Sequence, residues 1–467
     1  MMPGSENLNI LYIASHGFAV RMLLQTDLLT KLQQNGLRVG LVTMDASDPS
    51  VAEYCLNNGI KNIGFNVKAD KWMPYKELFR RYMLEKVKQN PALYEKHLRL
   101  VDQARTSRSM RNRLRLANIA SGISRYLPFG RIVYQKIEKK QLHNDEADLL
   151  IRKYNPSIVI STVPVSVMEA TILYAAAKKN VRTVTQILSW DNITCKGHFR
   201  MLSADFIVWG RIMKEELQRY YGIKPRNIYE CGVPHFDLHF KNREELKGKA
   251  KGDYLLFAMS SPYFAPREID IVESIAKWIE EDKWPGLKFV VRPHPQNVIG
   301  NMADLTWLGR LKHIESAKVK VDYPQINNES GIHWSMKQSD MPEMSLLIAN
   351  AAAVINSGST MSIDALCYLK PVIVTAFDNE EELPWHLSIK RAMEYEHFRN
   401  IIDSGAVAKT NNYQELQDAI SEAINNPKAR MEKMKSILFD EVGIDDGRAT
   451  ERVVEVLQKM ANSPLLN

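Results

Sequence analysis

The chain has 467 residues, 45% of them apolar and 25% charged, proportions that exclude a disordered or fibrous protein and leave room for two or three globular domains. Its four cysteines (Cys55, Cys195, Cys231, Cys367) are scattered without a Cys-x-x-Cys pair, which argues against a disulfide framework or zinc site and for a reducing compartment. The net charge of +8 is concentrated between Lys76 and Gln141, where 17 Lys or Arg face 5 Asp or Glu; this local +12 leaves −4 for the rest of the chain, an argument about partners rather than fold.

The amino terminus has no basic segment leading into a long apolar run, and no stretch reaches eighteen uninterrupted apolar residues. Neither a signal peptide nor a transmembrane helix is expected, and a cytoplasmic location follows. Leu8–Ser15 reads as an apolar strand that exits into His16-Gly17. Phe18–Gln34 has helical spacing closed by Asn35-Gly36, and Leu37–Met44 is a second strand. This βαβ unit predicts a parallel sheet, whose ligands bind beyond the carboxyl ends of the strands. His16 stands at such an end as a candidate general base. Val51–Val67 predicts another helix and strand.

Within the basic stretch, Leu116, Ile119, Ala120, Ile123, Tyr126 and Leu127 recur at helical spacing among Arg111, Arg113, Arg115 and Arg125. A cationic amphipathic helix ending in Leu127-Pro128-Phe129 suits an anionic membrane surface. A solvated helical pair with its arginine stems packed on apolar neighbours is the alternative. No nucleic-acid-binding motif accompanies the charge, so nucleic acid is not expected as a partner.

The α/β rhythm resumes at Pro156. Strands are predicted at Ile158–Val163, Val181–Leu188, Ala204–Trp209 and Ile228–Gly232, with helices at Val165–Lys179 and Lys214–Tyr221. The second of these strands exits into Ser189-Trp190-Asp191-Asn192, where Asp191 is a second candidate base. The polar segment Lys241–Lys251 reads as a linker. Beyond it, Tyr254–Met259 leads into Ser260-Ser261-Pro262, and Pro266–Glu281 is helical. Leu287–Arg292 exits into Pro293-His294-Pro295, where two prolines fix the backbone around one imidazole and Arg292 adds a charge.

The strand Ala353–Asn356 turns through Ser357-Gly358-Ser359-Thr360 into a helix that carries Asp364. Such a corner gathers backbone N–H groups for a phosphate, with Asp364 placed to accept hydrogen bonds from a ribose. The strand Pro371–Phe377 ends at Asp378-Asn379, candidates for gripping sugar hydroxyls. Glu380–Glu382 reads as solvated. Helices at Tyr413–Asn425 and Ala429–Leu438, and a last one after Gly447, complete the chain.

These motifs together resemble the GT-B glycosyltransferases. Ser357-Gly358 with Asp364 looks like the Ser-Gly and later glutamate of lipid-linked peptidoglycan N-acetylglucosaminyltransferases, and His16-Gly17 is similar to the first-loop histidine of that group. Arg292-Pro293-His294-Pro295 followed by Ser359-Thr360 resembles bacterial sialyltransferases, Kdo transferases and CDP-glycerol glycerophosphotransferases, and Asp445-Asp446-Gly447-Arg448-Ala449 is similar to the tail of surface-polysaccharide transferases. The resemblance implies an α/β chain of two Rossmann-like domains facing across a cleft. The first spans residues 1–240, with a basic helical insertion at 76–141. The second, which holds the nucleotide-sugar, spans 241–440, and 441–467 packs back on the first.

It further implies a metal-independent, inverting sugar transfer to a hydroxyl acceptor in surface polysaccharide or glycolipid synthesis, with the nucleotide-sugar as substrate and no cofactor. The acceptor is lipid-linked or a glycan, met at the inner face of the membrane. Ser260, Arg292, His294, Ser357, Gly358, Ser359, Thr360 and Asp364 then hold the donor nucleotide and phosphates, Asp378 and Asn379 its sugar, and His16 or Asp191 deprotonates the acceptor. A UDP-GlcNAc 2-epimerase-like enzyme, a glycerophosphotransferase and a non-catalytic membrane- or polyanion-binding protein are the alternatives.

Overall fold

Short runs of aliphatic and β-branched residues, buried on both faces, form the strands of two all-parallel sheets, as expected when helices cover each side. The structure, a computed structural model, describes residues 6–68, 70–127, 129–249, 252–298, 306–327, 336–380 and 382–462. Pro128 of the expected membrane segment, Glu381 of the acidic run, residues 250–251 of the expected linker and residues 463–467 lie outside the described residues. The chain divides into an N-terminal unit, Met1–Pro234 with Thr450–Asn467, and a C-terminal unit, His235–Ala449.

The N-terminal unit holds β1 (Ile10–Ala14), β2 (Val39–Thr43), β3 (Lys61–Gly64), β4 (Ile158–Ser161), β5 (Arg182–Gln186), β6 (Asp205–Val208) and β7 (Ile228–Glu230). Their order is β3-β2-β1-β4-β5-β6-β7. The chain reverses direction across the sheet between β1 and β4, whose pairing sets Ile10 opposite Ile158. The core packs Leu11, Ile13, Val42 and Val159 against Ile172 and Leu173 of the following helix. The predicted helix Phe18–Gln34 is in fact two, Gly17–Leu24 and Leu28–Gln34. Between them the Thr26 hydroxyl bonds the Met22 carbonyl at 2.9 Å, and such local hydroxyl bonding competes with helix continuation.

Between β3 and β4 lie helices Met73–Leu84, Pro91–Thr106, Arg108–Tyr126 and Gly130–Gln141, with their own small core around Tyr82, Leu93, Leu100, Ala117 and Ala120. The carboxylate of Glu138 is buried there between Arg80 and Arg200. The last helix, Ala449–Asn462, is tied into the N-terminal unit by Lys31–Glu451 at 2.6 Å and by Arg452 Nε on the Cys231 carbonyl at 2.9 Å.

The C-terminal unit holds β8 (Tyr254–Ala258), β9 (Lys288–Arg292), β10 (Val319–Val321), β11 (Ala353–Asn356), β12 (Val372–Thr375) and β13 (Ala408–Thr410), in the order β10-β9-β8-β11-β12-β13. Leu255, Phe257, Phe289, Val291, Ile355 and Ile373 pack with Ile271, Ile275, Leu416 and Ile420 of the covering helices. The direction reversal falls between β8 and β11. The segment read as a linker starts inside a helix of this unit, Asp237–Glu245, which takes in its first five residues before a turn over 246–249. Its Arg243 bonds the Cys367 carbonyl at 3.0 Å and Asp445 at 2.8 Å. Its polar composition reflects exposure of one side, which composition alone cannot tell from a linker.

Candidate functional site

In the C-terminal unit the exits of four neighbouring strands, β9, β8, β11 and β12, carry the candidate residues. The loop after β8 begins with Ser260. Its amide bonds Glu268 Oε2 at 2.7 Å, its hydroxyl reaches the Ser357 carbonyl at 3.5 Å, and its carbonyl accepts from Asn297 Nδ2 at 3.1 Å. Asn297 in turn donates its amide to the His294 carbonyl at 2.7 Å. Ser260, His294 and the Ser357 corner are therefore joined by direct contacts at the direction reversal of this sheet, where open parallel sheets place their ligands.

His294 Nδ1 accepts the Gln296 amide at 3.1 Å. In the neutral ring that leaves the proton on Nε2, the tautomer that donates to an anion. Gly358 has φ of +75°, and a Cβ there would lie 3.1 Å from Met393 Cε and 3.2 Å from Ala392 Cβ. Only glycine makes this turn without strain or crowding.

The corner is less open than its sequence implies. Buried Asn356 accepts the Ser359 amide at 3.0 Å, the Ser359 hydroxyl accepts the Met361 amide at 3.3 Å, and the Ser359 carbonyl accepts the Ser362 amide at 3.0 Å. Among the described residues, the Gly358 and Thr360 amides have no internal acceptor. The Ser357 hydroxyl is buried and shared with Thr375 at 2.6 Å, whereas Thr360 is exposed. Asp364 Oδ1 accepts from His239 Nε2 at 2.9 Å, and His239 Nδ1 meets the Ser345 hydroxyl at 2.9 Å. One carboxylate oxygen of Asp364 is thus fixed by a buried histidine, which orients the other.

Three of the expected ligand residues have partners within the protein. Arg292 is buried and divides its guanidinium between Asp322 and Asp340, both at 2.5 Å. Two carboxylates satisfy its charge, so it joins the end of β9 to the neighbouring loops. Asp378 is buried and caps the segment Ile389–Glu394, accepting the Ile389 amide at 3.0 Å and the Ser388 hydroxyl. Asn379 sits at φ +58° and accepts from the Tyr413 hydroxyl at 2.8 Å. Its Nδ2 donates to Asp270 at 3.4 Å, so Asp378 holds a nearby segment while Asn379 ties its loop to two distant helices.

In the N-terminal unit, His16 stands exposed at the exit of β1 and caps the following helix, its Nδ1 accepting the Phe18 amide at 3.2 Å. The neutral ring then carries its proton on Nε2, so His16 is a donor until that cap opens. Asp191 follows β5. Its Oδ1 accepts from the Ser189 hydroxyl at 2.6 Å and its Oδ2 pairs with Lys196 at 2.8 Å, with the side chain partly exposed.

Two glutamates escaped the sequence reading. Glu169 is fully buried on the helix after β4. It accepts the Ser15 amide and hydroxyl at 2.9 and 2.7 Å, the Ser161 hydroxyl at 2.7 Å, and the Thr162 and Val163 amides at 2.7 and 2.8 Å. It clamps the exits of β1 and β4 together beside His16. The signal was Ser166-x-x-Glu169, a capping-box spacing. Glu268 performs the matching task after β8. Burial pushes its carboxyl up to about 8, against the Ser357 hydroxyl and Ser260 amide, which pull it down.

A metal would find one candidate group among the described residues, His143, Asp145 and Asp148, which belongs to neither set of strand exits above. Also among the described residues, no helix is long and apolar enough to cross a membrane, and all four cysteines are free and buried.

No family model matches the chain, and no curated protein matches it in sequence. Solved structures do match. UDP-GlcNAc 2-epimerase from Neisseria meningitidis, bound to UDP-GlcNAc, aligns over 97% of this chain and 100% of its own at 12% identity and a TM-score of 0.53. The enzyme of the same name from Methanocaldococcus jannaschii aligns over 97% and 99% at 13% identity and 0.53. S. aureus MnaA, in its structure with UDP, aligns over 97% of both chains at 11% identity and 0.52. At these identities the likeness defines the fold, so the chain has the architecture of two Rossmann-like domains, of the GT-B type, over nearly its whole length.

Proposed function

We propose that the chain is a nucleotide-sugar enzyme, and specifically a glycosyltransferase that moves a sugar from a nucleotide-activated donor to a hydroxyl by direct, inverting displacement. The observation that carries this reading is the joined corner of the C-terminal unit, where Ser260, His294 and the Ser357–Thr360 turn meet at the direction reversal of the sheet. His294 Nε2–H, the Thr360 hydroxyl and the Gly358 and Thr360 amides stabilise charge growing on the leaving phosphate, so protein dipoles do the work a cation would otherwise do. The free oxygen of Asp364 accepts from the ribose. Asp191 takes the acceptor proton, or His16 does so once released from its cap.

A second reading, a UDP-GlcNAc 2-epimerase, is favoured by the names of the fold neighbours. Epimerisation at C2 removes a proton and returns one, and so needs paired acid–base groups. Here Glu169, Glu268, Asp322, Asp340 and Asp378 are each committed inside their own unit, which favours transfer. The test starts with a thermal-shift panel of UDP, CDP, CMP, GDP and dTDP, since a ligand that binds the native state alone raises its stability. The corresponding nucleotide-sugar is then followed by NMR in D2O with and without excess EDTA. Donor turnover without deuterium at C2, unaffected by EDTA, is expected. Deuterium entering C2 makes the chain an epimerase, activity lost with EDTA removes the metal-free step, and no shift with any nucleotide removes the whole reading.

A further inference from the structure

The basic insertion of the N-terminal unit does not use its apolar residues as the sequence periodicity implies. Of the stripe on helix Arg108–Tyr126, Ala120 is buried, next to Ala117 one turn earlier, and Ile123 packs on the insertion's own core. Ile119 and Tyr126 point the other way and are exposed. The apolar surface collects instead at the corner between this helix and helix Gly130–Gln141. There Tyr126, Leu127 and Phe129 are 73%, 57% and 75% exposed, and Ile132, Val133 and Ile137 continue the patch along the second helix. Phe129, Val133 and Ile137 are spaced four apart, so they share one face.

The same outer surface carries Arg108, Arg111, Arg115, Arg125, Lys136, Lys139 and Lys140, all exposed. The one acidic residue between 108 and 141 is Glu138, and it is buried against Arg80 and Arg200. Exposed aromatic and aliphatic side chains at a helical corner, ringed by cations with no exposed anion among them, match a surface that is anionic above and hydrocarbon below. A second copy of the same face would oppose like charges, which disfavours self-association.

We propose that this corner is a membrane-docking site: Tyr126, Leu127, Phe129 and Ile132 enter the interface of an anionic bilayer while Arg125, Lys136, Lys139 and Lys140 bind lipid phosphates. The proposal is independent of the reaction assigned above. It concerns a specific corner, and the long stems of the basic residues let their charges stay at the headgroups while the apolar tip goes deeper.

The test is vesicle flotation of the full chain with phosphatidylcholine alone and with 30% phosphatidylglycerol, at 50 and 500 mM NaCl. Binding is expected only to the anionic vesicles, at least tenfold weaker at high salt. Leu127→Ser/Phe129→Ser/Ile132→Ser should weaken low-salt binding at least tenfold, as should Lys136→Gln/Lys139→Gln/Lys140→Gln, with circular dichroism and nucleotide-induced thermal shifts unchanged because the residues are exposed. Wild-type protein that stays unbound at low salt overturns the proposal. So does an apolar triple variant that binds like wild type, or a wild-type dimer that this variant turns to monomer. Retained binding of a single-stranded RNA by protein that ignores vesicles would assign the charge to nucleic acid instead.

Discussion

Glu268→Gln is the perturbation whose outcome follows most directly from the structure. Glu268 lies in the first turn of helix Glu268–Glu280, 2% exposed, with Oε2 on the Ser260 amide at 2.7 Å. Burial raises its carboxyl from 4.5 to about 8. Near neutrality the folded state therefore holds a proton that the unfolded chain has already released. Wherever the native state binds more protons, stability falls as pH rises. This contribution is fully present below about 4.5, declines through the window to about 8, and is flat above. At about 1.36 kcal/mol per pH unit, the decline between pH 5 and pH 8 is about 3–4 kcal/mol.

Glutamine reproduces the neutral acid. Its carbonyl accepts from the Ser260 amide, its NH2 stands where the carboxyl O–H stood, and it does not titrate. Calorimetry of wild type and variant at half-unit pH steps isolates the effect as a double difference, because the other titrating groups are shared. For a unit of this size the wild-type transition should lose on the order of 10 °C relative to the variant between pH 5 and 8. Glu268→Gln should then be the more stable protein at pH 8. Parallel curves would refute the reasoning, because they would mean Glu268 is ionised in the folded state.

Gly358→Ala forces a Cβ into a left-handed position against Met393 and Ala392. It should cost about 2–4 kcal/mol and weaken nucleotide binding; unchanged denaturation and nucleotide affinity would show that the turn is not constrained. Arg292→Met leaves buried Asp340 and partly exposed Asp322 without their cation and should cost about 3–5 kcal/mol, chiefly through Asp340, with nucleotide affinity of the folded fraction unchanged by isothermal titration. A tenfold affinity loss in well-folded protein would return Arg292 to the phosphate site. Asp191→Asn should lower the rate of transfer by about 10²–10⁴ with unchanged donor affinity. A full-rate Asp191→Asn enzyme that His16→Ala disables would make the histidine the base. His239→Gln keeps one hydrogen bond of the buried network and should raise the donor KM more than it lowers kcat, since it acts through Asp364; an equal fall in kcat/KM through kcat alone would place His239 nearer the chemistry.

The alternation of apolar strand and amphipathic helix made most of both sheets legible, because strands buried on both faces are continuous aliphatic runs such as Ile158-Val159-Ile160. The strands that escaped are β10 and β13, Val319-Lys320-Val321 and Ala408-Lys409-Thr410. They stand at the two edges of their sheet, where three residues suffice and polar side chains are tolerated.

The site was legible as positions and not as partners. Sequence determined that Ser260, His294 and the Ser357–Thr360 turn stand at strand ends, because strand exits follow from the local pattern of residues. It did not determine which polar groups find one another across the sheet. Arg292 looked available because both of its carboxylates arrive from segments 30 and 48 residues later. Asp378 looked available because its cap is made ten residues on. Glu268 looked like an ordinary helix residue because its carboxyl shift comes from burial, which the local residue pattern does not show. Hydrogen-bond satisfaction and desolvation are sums over neighbours in space, so only the tertiary structure decided which of these side chains remain for a ligand.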